Sequence, residues 1–370
     1  MLIAFTLQNF RSYKEAATLS LADLKWVALS GLNGAGKSAV LAGLTLLQQL
    51  VVVPTEQITD CLPYQPFAFD TTSDGLPTQF AVTLERGGSR YRYALSYDAT
   101  RILSEELAVL LPGGQSQRLF LRQNGGIVCV PAGQKQAAAN TRPNALFLQT
   151  LQAANYQPAI AVFSWFAEDL VVLGDRPRTD LVLDDWLIPQ LTQFLHAVGS
   201  EVAGVTQRQL ALQFLDGSRF TRPDLALLYE KYDEEGEVVD VAELPLRQAS
   251  TGTQQLVTAG LAFITAQIAK NPQTVIADEF ASAVRPEVAT ALLALVASDV
   301  NHSQLLFSTG HEVLLSSQTD PQQRCLAEKN YRGESTLRQG ISAMTEQPTI
   351  FTHQRVDGET LRTAFTTDIA

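Results

Sequence analysis

The sequence is poor in cysteine, short of basic residues and free of long apolar runs, and each shortage excludes something. Its three cysteines, Cys61, Cys129 and Cys325, stand far apart, with no CxxC pair and no paired histidines near them. That argues against a disulfide framework or a zinc site and suits a reducing compartment. The thiols read as small buried apolar groups. Lysine and arginine total 27 against 38 aspartates and glutamates, for a net charge of −11. Such a chain does not coat nucleic acid over its whole surface, although a local basic groove is compatible with the total. No run reaches the roughly 20 apolar residues of a membrane helix; the longest, Ala39 to Val53, is broken by Gln48 and Gln49. The opening MLIAFTLQNFRSYKE alternates and then turns charged, unlike a secretory leader. Repeats, low-complexity tracts and coiled-coil heptads are missing too. The expectation is a soluble cytoplasmic protein with no membrane contact.

What is present is the material of a folded chain. The hydrophobic fraction is 46% and the charged fraction 18% over 370 residues, enough for one large domain or two ordinary ones. Leu2 to Leu7 and Ala17 to Leu21 read as strands, and Trp26 to Ser30 as a short buried strand. Ser38 to Val53 has helical length and is apolar. From Thr78 to about Val130, TQFAVTL, YRYALSY and RLFLR alternate between GG and DAT turns, as an antiparallel meander does. Gln134 to Val205 reads as largely helical. LALQF and ALLYEKYDEEGEVVDVAEL return to strands, with DEEG as a hairpin turn. From Arg247 the chain alternates again: a helix from Thr253 to Ala269, the strand QTVIADE, a helix from Glu287 to Ala297, the strand QLLFST, a short helix from His311 to Ser317 and the strand CLAEKN. These readings divide the chain into 1–60 and 247–340 as two halves of one nucleotide fold. Between them lie 61–133 (antiparallel β), 134–205 (helical) and 206–246 (β), and 341–370 is a tail.

Gly31, Gly34, Gly36, Lys37 and Ser38 satisfy GxxxxGK[ST] in full, between a strand and a helix. Glycines let main-chain N–H groups turn inward on phosphate oxygens, and the following helix adds its positive N-terminus. Lys37 supplies a point charge to the β- and γ-phosphates, and Ser38 a hydroxyl to Mg²⁺. In TVIADE, Asp278 falls at the C-terminal end of a buried strand, where open α/β sheets hold ligands. Asp278 is the candidate Mg²⁺ ligand and Glu279 the residue that polarises an attacking water; a strand running into a solvated turn would look similar. RQASTGTQQL offers a hydroxyl, a glycine and a helix N-terminus, the parts needed to touch a γ-phosphate. A plain cap by Ser250 or Thr251 explains it equally well.

Other segments read simply. Phe163, Trp165 and Phe166 have core spacing. Asp184 to Trp186 suits a helix start, and the acidic run Asp233 to Glu237 a solvated turn. Arg86, Arg90 and Arg92 fit a polar strand face better than a DNA-binding edge.

Taken in order, LQNFRSYKE, GLNGAGKS, ASTGTQQL, VIADE and LLFSTGHEVLL resemble the ABC/SMC-type ATPase heads. More closely, they resemble the short prokaryotic AAA-family ATP-binding proteins with an ABC-type head that are found in abortive-infection and restriction-linked anti-phage loci, the Rlo-type ATPases among them. YRYALSY, ALFLQTL, SWFAEDLVVL and AEKNYRGESTL resemble that group's intervening blocks. The resemblance implies an α/β P-loop NTPase of the ABC-ATPase head type with inserted antiparallel β and helical subdomains. It implies ATP and Mg²⁺ as cofactors, with Arg11, Gly31, Asn33, Gly34, Ala35, Gly36, Lys37, Ser38 and Ala39 around the nucleotide and Ser38 and Asp278 on the metal. Glu279, Lys37 and His311 would be catalytic. Ser250 and Gly252 would meet a nucleotide held by a second copy, so that two heads sandwich two ATP molecules. The resemblance alone implies a separate effector, such as a nuclease, as partner; this chain shows no metal-nuclease cluster of its own. DNA stays open as a ligand through the alternative of a DNA-repair ATPase of the RecF kind.

Two segments depart from the group's pattern. FASAVRP has Ala281 and Arg285 where an aspartate and a histidine are expected. FSTGH puts Gly310 at the place of a switch histidine, with His311 one position later. Slow hydrolysis, or ATP binding as a scaffold with little hydrolysis, follows from those changes. Gln65 and Gln79 are candidates for a Mg²⁺-sensing glutamine.

Overall fold

The computed structural model describes residues 1–73, 75–124, 126–174, 183–213, 219–280, 286–299, 301–310 and 320–340. Strands β1 (Leu2–Gln8) and β2 (Ala17–Ser20) come first along the chain, followed by β3 (Trp26–Ser30), the glycine loop and helix α1 (Lys37–Val52). Five strands follow: β4 (Thr78–Arg86), β5 (Ser89–Tyr97), β6 (Ile102–Leu110), β7 (Ser116–Gln123) and β8 (Gly126–Cys129). Helices α2 (Lys135–Asn140), α3 (Phe147–Ala153) and α4 (Gln157–Ser164) lead through a π-helical turn, Trp165–Asp169, into β9 (Leu170–Leu173). Helix α5 (Leu187–Ala197) precedes β10 (Gly204–Gln213), β11 (Arg219–Tyr232) and β12 (Val238–Pro245). The chain ends its described part with α6 (Thr251–Ile268), β13 (Thr274–Ala277), α7 (Pro286–Ala297), β14 (Gln304–Ser308), β15 (Arg324–Lys329) and β16 (Ser335–Gln339).

The strands make three sheets. One is antiparallel, in the order β2-β1-β4-β5-β6-β7-β8; one is β10-β11-β12; the third is β16-β15-β3-β14-β13-β9. In the third, β15, β3, β14, β13 and β9 run parallel and only β16 is reversed. Its central strands β3, β14 and β13 are buried on both faces, so they read as nearly unbroken apolar runs. Alternation then sorts their side chains between two cores. Val27, Leu29, Ile276 and Leu306 join the core that holds α1 and the antiparallel sheet. Trp26, Ala28, Val275, Leu305 and Phe307 join Phe263 of α6 and Leu292 of α7 on the other face. A third core unites α5, α6, β10 and β11 through Leu191, Val205, Leu225, Leu227 and Val257. The sheets are tied at the first strand, where the Leu2 amide donates to Thr274 Oγ1 and Gln304 Oε1.

Three expectations change. Residues 134–205 are not wholly helical: Leu170–Leu173 is an edge strand of the parallel sheet, paired with β13 from Leu170↔Thr274 to Leu173↔Ala277. LVVL is too short for periodicity to separate a buried strand from a helix end. β1 and β2, placed with the nucleotide half, belong to the antiparallel sheet, where β1 pairs with β4 from Leu2↔Leu84 to Gln8↔Gln79. ILSEELAVL and STLRQ add β6 and β16, strands that turn signals alone did not mark. The helix expected from His311 to Ser317 lies outside the described residues, and no described helix is long and apolar enough to cross a membrane.

Candidate functional site

Strand β3 delivers the glycine loop to the C-terminal edge of the parallel sheet. Gly31, Gly34 and Gly36 have φ of 128°, 79° and 113°, the half of conformational space that L side chains avoid. Packing adds a second demand at two of them. A Cβ on Gly31 would stand 2.2 Å from the Ala327 carbonyl oxygen of β15, and one on Gly36 would stand 2.7 Å from Ser335 Oγ of β16. A Cβ on Gly34 would meet nothing within 4 Å. The loop is therefore clamped on its outer side by β15 and β16. Ser335 Oγ, which lies 2.7 Å from the Ala35 carbonyl and 2.8 Å from Ser12 Oγ, completes that brace. Gly31 and Ala35 accordingly form the back of the loop, while Asn33, Gly34, Gly36, Lys37, Ser38 and Ala39 line a cavity of about 510 Å³ in front of it.

Lys37 is the first residue of α1 and is 91% buried. Its Nζ donates to the carbonyls of Gly31 (2.8 Å) and Leu32 (3.1 Å), so the ammonium is held over the loop. Burial pulls the lysine below its ordinary pKa, and the nearby Asp278 and Glu279 oppose that shift. Ser38 Oγ donates to Asp278 Oδ1 at 3.1 Å. Asp278 follows β13 directly, which puts the carboxylate beside the first turn of α1 from a position 240 residues away.

The sequence reading missed Ser308, the last residue of β14. Its hydroxyl donates to Asp278 Oδ1 and accepts from the Glu279 amide at 2.7 Å. That bond fixes the acidic pair on both sides, with Glu279 held at φ 48°. A small hydroxyl residue ending a neighbouring parallel strand was the available signal. Lys329, at the end of β15, and Phe69 were missed as well; both line the cavity with Glu279.

Arg11 also reaches the cavity, at φ 50° in the turn closed by the Phe10 and Tyr13 main chains. Its Nε donates to Gln65 Oε1 at 2.8 Å, and the guanidinium lies over the Phe10 ring. Of the two candidate glutamines, the fold brings Gln65 to the site and leaves Gln79 on β4, paired with Gln8 and Ser96. Ser250 and Gly252 are elsewhere. Ser250 caps α6, its Oγ accepting from the Thr253 amide at 3.2 Å, and it is exposed. His311, Ala281 and Arg285 lie outside the described residues, whereas Gly310 is exposed beyond the end of β14 with open space at its Cβ position.

Three cations, Arg11, Lys37 and Lys329, thus face one cavity with Glu279 as a lining carboxylate, an arrangement suited to a polyanion. Ser38 Oγ and Asp278 form a hard oxygen donor pair, which fits Mg²⁺. Among the described residues no group of three or more His, Cys, Asp or Glu could hold a metal. A cation here would draw its remaining ligands from phosphate and water, as Mg²⁺ does.

A parallel sheet with helices on both faces and a complete phosphate loop at its C-terminal edge define an α/β P-loop NTPase fold. No family model matches the chain, and no curated protein does. Solved structures similar to it include an SMC head domain from Thermotoga maritima, at 14% identity and a TM-score of 0.44, covering 91% of this chain and 98% of that one. An SMC head bound to the C-winged helix domain of ScpA matches at 14% and 0.46, covering 93% and 98%. An SMC head domain with an extended coiled coil, bound to the C-terminal domain of ScpA derived from Pyrococcus furiosus, matches at 13% and 0.47, covering 91% and 95%.

Proposed function

We propose that this chain binds ATP with Mg²⁺ at the Gly31–Ser38 loop and hydrolyses it slowly to ADP and phosphate, as one of a head-to-head pair of copies. The meeting of Ser38 with Asp278 carries the reading, because it joins the loop to the acidic pair across the fold. In this reading the loop amides and the N-terminus of α1 receive the phosphates. Lys37 exchanges its two carbonyl partners for phosphate oxygens, while Arg11 and Lys329 add positive charge at the rim. Ser38 and Asp278 hold Mg²⁺, which when bound neutralises charge on the phosphates. Glu279, on a main chain fixed by Ser308, orients and polarises the attacking water.

The exposed position of Ser250 and the half-buried one of Gly252 at the start of α6, apart from this cavity, support their use by a second copy. The resemblance in motif order supports a role in anti-phage defence, with the ATP state relayed to a separate effector protein such as a nuclease. Gly310 favours a second reading, an ATP-binding scaffold with little turnover, because it offers no side chain where the resemblance expects a histidine.

Phosphate release and ATP affinity, measured on wild type, Lys37→Ala and Glu279→Gln, separate the two. Slow release by wild type, lost by about 100-fold or more in Glu279→Gln with ATP binding retained, is the expected result. Lys37→Ala should lose binding itself. If wild type and Glu279→Gln are equally inert while both bind ATP, the scaffold reading takes over; stimulation by DNA would move the protein toward repair ATPases.

A further inference from the structure

The hairpin β11–β12 outgrows its own sheet. Strand β10 accompanies β11 only as far as the Gly204↔Leu228 pair, so the strands from Tyr229 to Val241 continue as a two-stranded arm. Every residue from Glu230 to Val241 is exposed. Two-stranded hairpins are marginal alone in water, yet this one leaves Tyr232, Val238, Val239 and Val241 between 48% and 60% exposed. Residues opposed across a ladder share a face. Glu230 opposes Val241 and Tyr232 opposes Val238, so one side of the arm carries Tyr232, Val238 and Val241 with the Glu230 carboxylate, which accepts from the Tyr232 hydroxyl, while the Lys231–Asp240 ion pair lies on the other. Residues 230–243 carry seven carboxylates, Glu230, Asp233, Glu234, Glu235, Glu237, Asp240 and Glu243, against one lysine, Lys231; Arg208 reaches Glu243 from β10 at the root. This short stretch thereby holds six of the chain's 11 net negative charges. The outer edge of β12 carries no further strand among the described residues.

The root of the arm is firm. Asp224 is fully buried and accepts from Arg208 at 3.0 Å and from Arg247 at 3.3 Å, three residues before Ser250. Leu225 and Leu227 of β11 pack in one core with Val257 and Leu261 of α6.

We propose that this arm docks a basic strand of a different protein, a segment alternating Lys or Arg with β-branched or aromatic residues, added along the free edge of β12. Main-chain bonds to β12 supply the pairing, the apolar side covers Tyr232, Val238 and Val241, and the bases meet the carboxylates. Charge selects this occupant. A second copy would set six negative charges against six, nucleic acid and anionic membranes are repelled, and residues 341–370 of this chain carry four carboxylates against two arginines. The inference rests on the proposed function only in that the docked protein would serve as the effector; docking itself needs no nucleotide.

The test uses a labelled synthetic decapeptide alternating lysine and valine, titrated into the full chain by fluorescence anisotropy. Saturable binding that weakens with salt, falls at least tenfold in Tyr232→Ser/Val241→Ser and is lost when alternate peptide amides are N-methylated is the expected result. A second variant, with Lys231–Asp240 replaced by Asn-Gly, guards against misfolding of the first, and both are checked by melting temperature. Unchanged binding by the variants, equal binding of a glutamate–valine peptide, or a dimer that either arm variant dissolves would each overturn the proposal. ATP affinity measured on the same samples tests the nucleotide reading separately.

Discussion

Gly31 and Gly34 belong to one motif but answer to different forces. Gly31 needs both its φ of 128° and the space that Ala327 O would otherwise take. Gly34 needs only its angle. Gly31→Ala should therefore destabilise the fold by about 3 kcal/mol or more, by overpacking against a backbone atom as well as strain. Gly34→Ala should cost about 1–2 kcal/mol, the penalty of a left-handed residue. Urea midpoints of the two variants test the ordering, and equal midpoints would refute the clamp. Cys325 gives a second prediction at this scale. Burial pushes its thiol from 9.0 up to about 12. The unfolded thiol ionises first, so the folded state binds more protons in that window. Stability is complete below pH 9 and falls between pH 9 and 12, by up to about 1.4 kcal/mol per unit. Cys325→Ala should flatten that part of a urea-midpoint profile. Cys61 is exposed and should react with a thiol reagent in the native protein, whereas Cys325 should react only on unfolding.

Between elements, the buried Asp224 is the joint that attaches the β10–β12 sheet to the approach to α6. Asp224→Ala leaves Arg208 and Arg247 without their shared partner at a site with no access to water for that carboxylate. A loss of about 3 kcal/mol is expected in denaturant titration, with the 510 Å³ cavity and ATP affinity largely kept because no cavity residue touches this joint. At this scale the limits of sequence reading also show. The glycine loop, α1, α6, β13 and the meander were legible because each carries a strong local signal: glycine spacing, helical length, or alternation between GG turns. β9 was not, because four apolar residues fit a strand or a helix end and only the parallel partner β13 decides. Ser308 and Lys329 escaped for a related reason. Each is an ordinary residue at a strand end, and it enters the site through a pairing that local sequence does not encode. Asp233 to Glu237 is a turn as expected, but the bare strands beneath it depend on where β10 stops.

Across the whole molecule, the cavity at the glycine loop depends on segments far apart in the chain. β3 lies between β14 and β15, and the loop after it is braced by Ala327 and Ser335. A chain ending at Asp320 lacks both braces, whereas one ending at Gly340 keeps them. The shorter chain should lose ATP binding and cooperative unfolding, and the longer should retain both, as read by calorimetry and circular dichroism. The same arrangement has a consequence during synthesis. β3 leaves the ribosome more than 270 residues before β14, a wait on the order of half a minute at roughly 5–20 residues per second. Meanwhile the meander β4–β8, whose contacts are local, has every partner it needs and can gather against α1. The parallel sheet closes last, and with it the loop. The cavity in front of the glycine loop is therefore completed only when almost the last described strand has emerged.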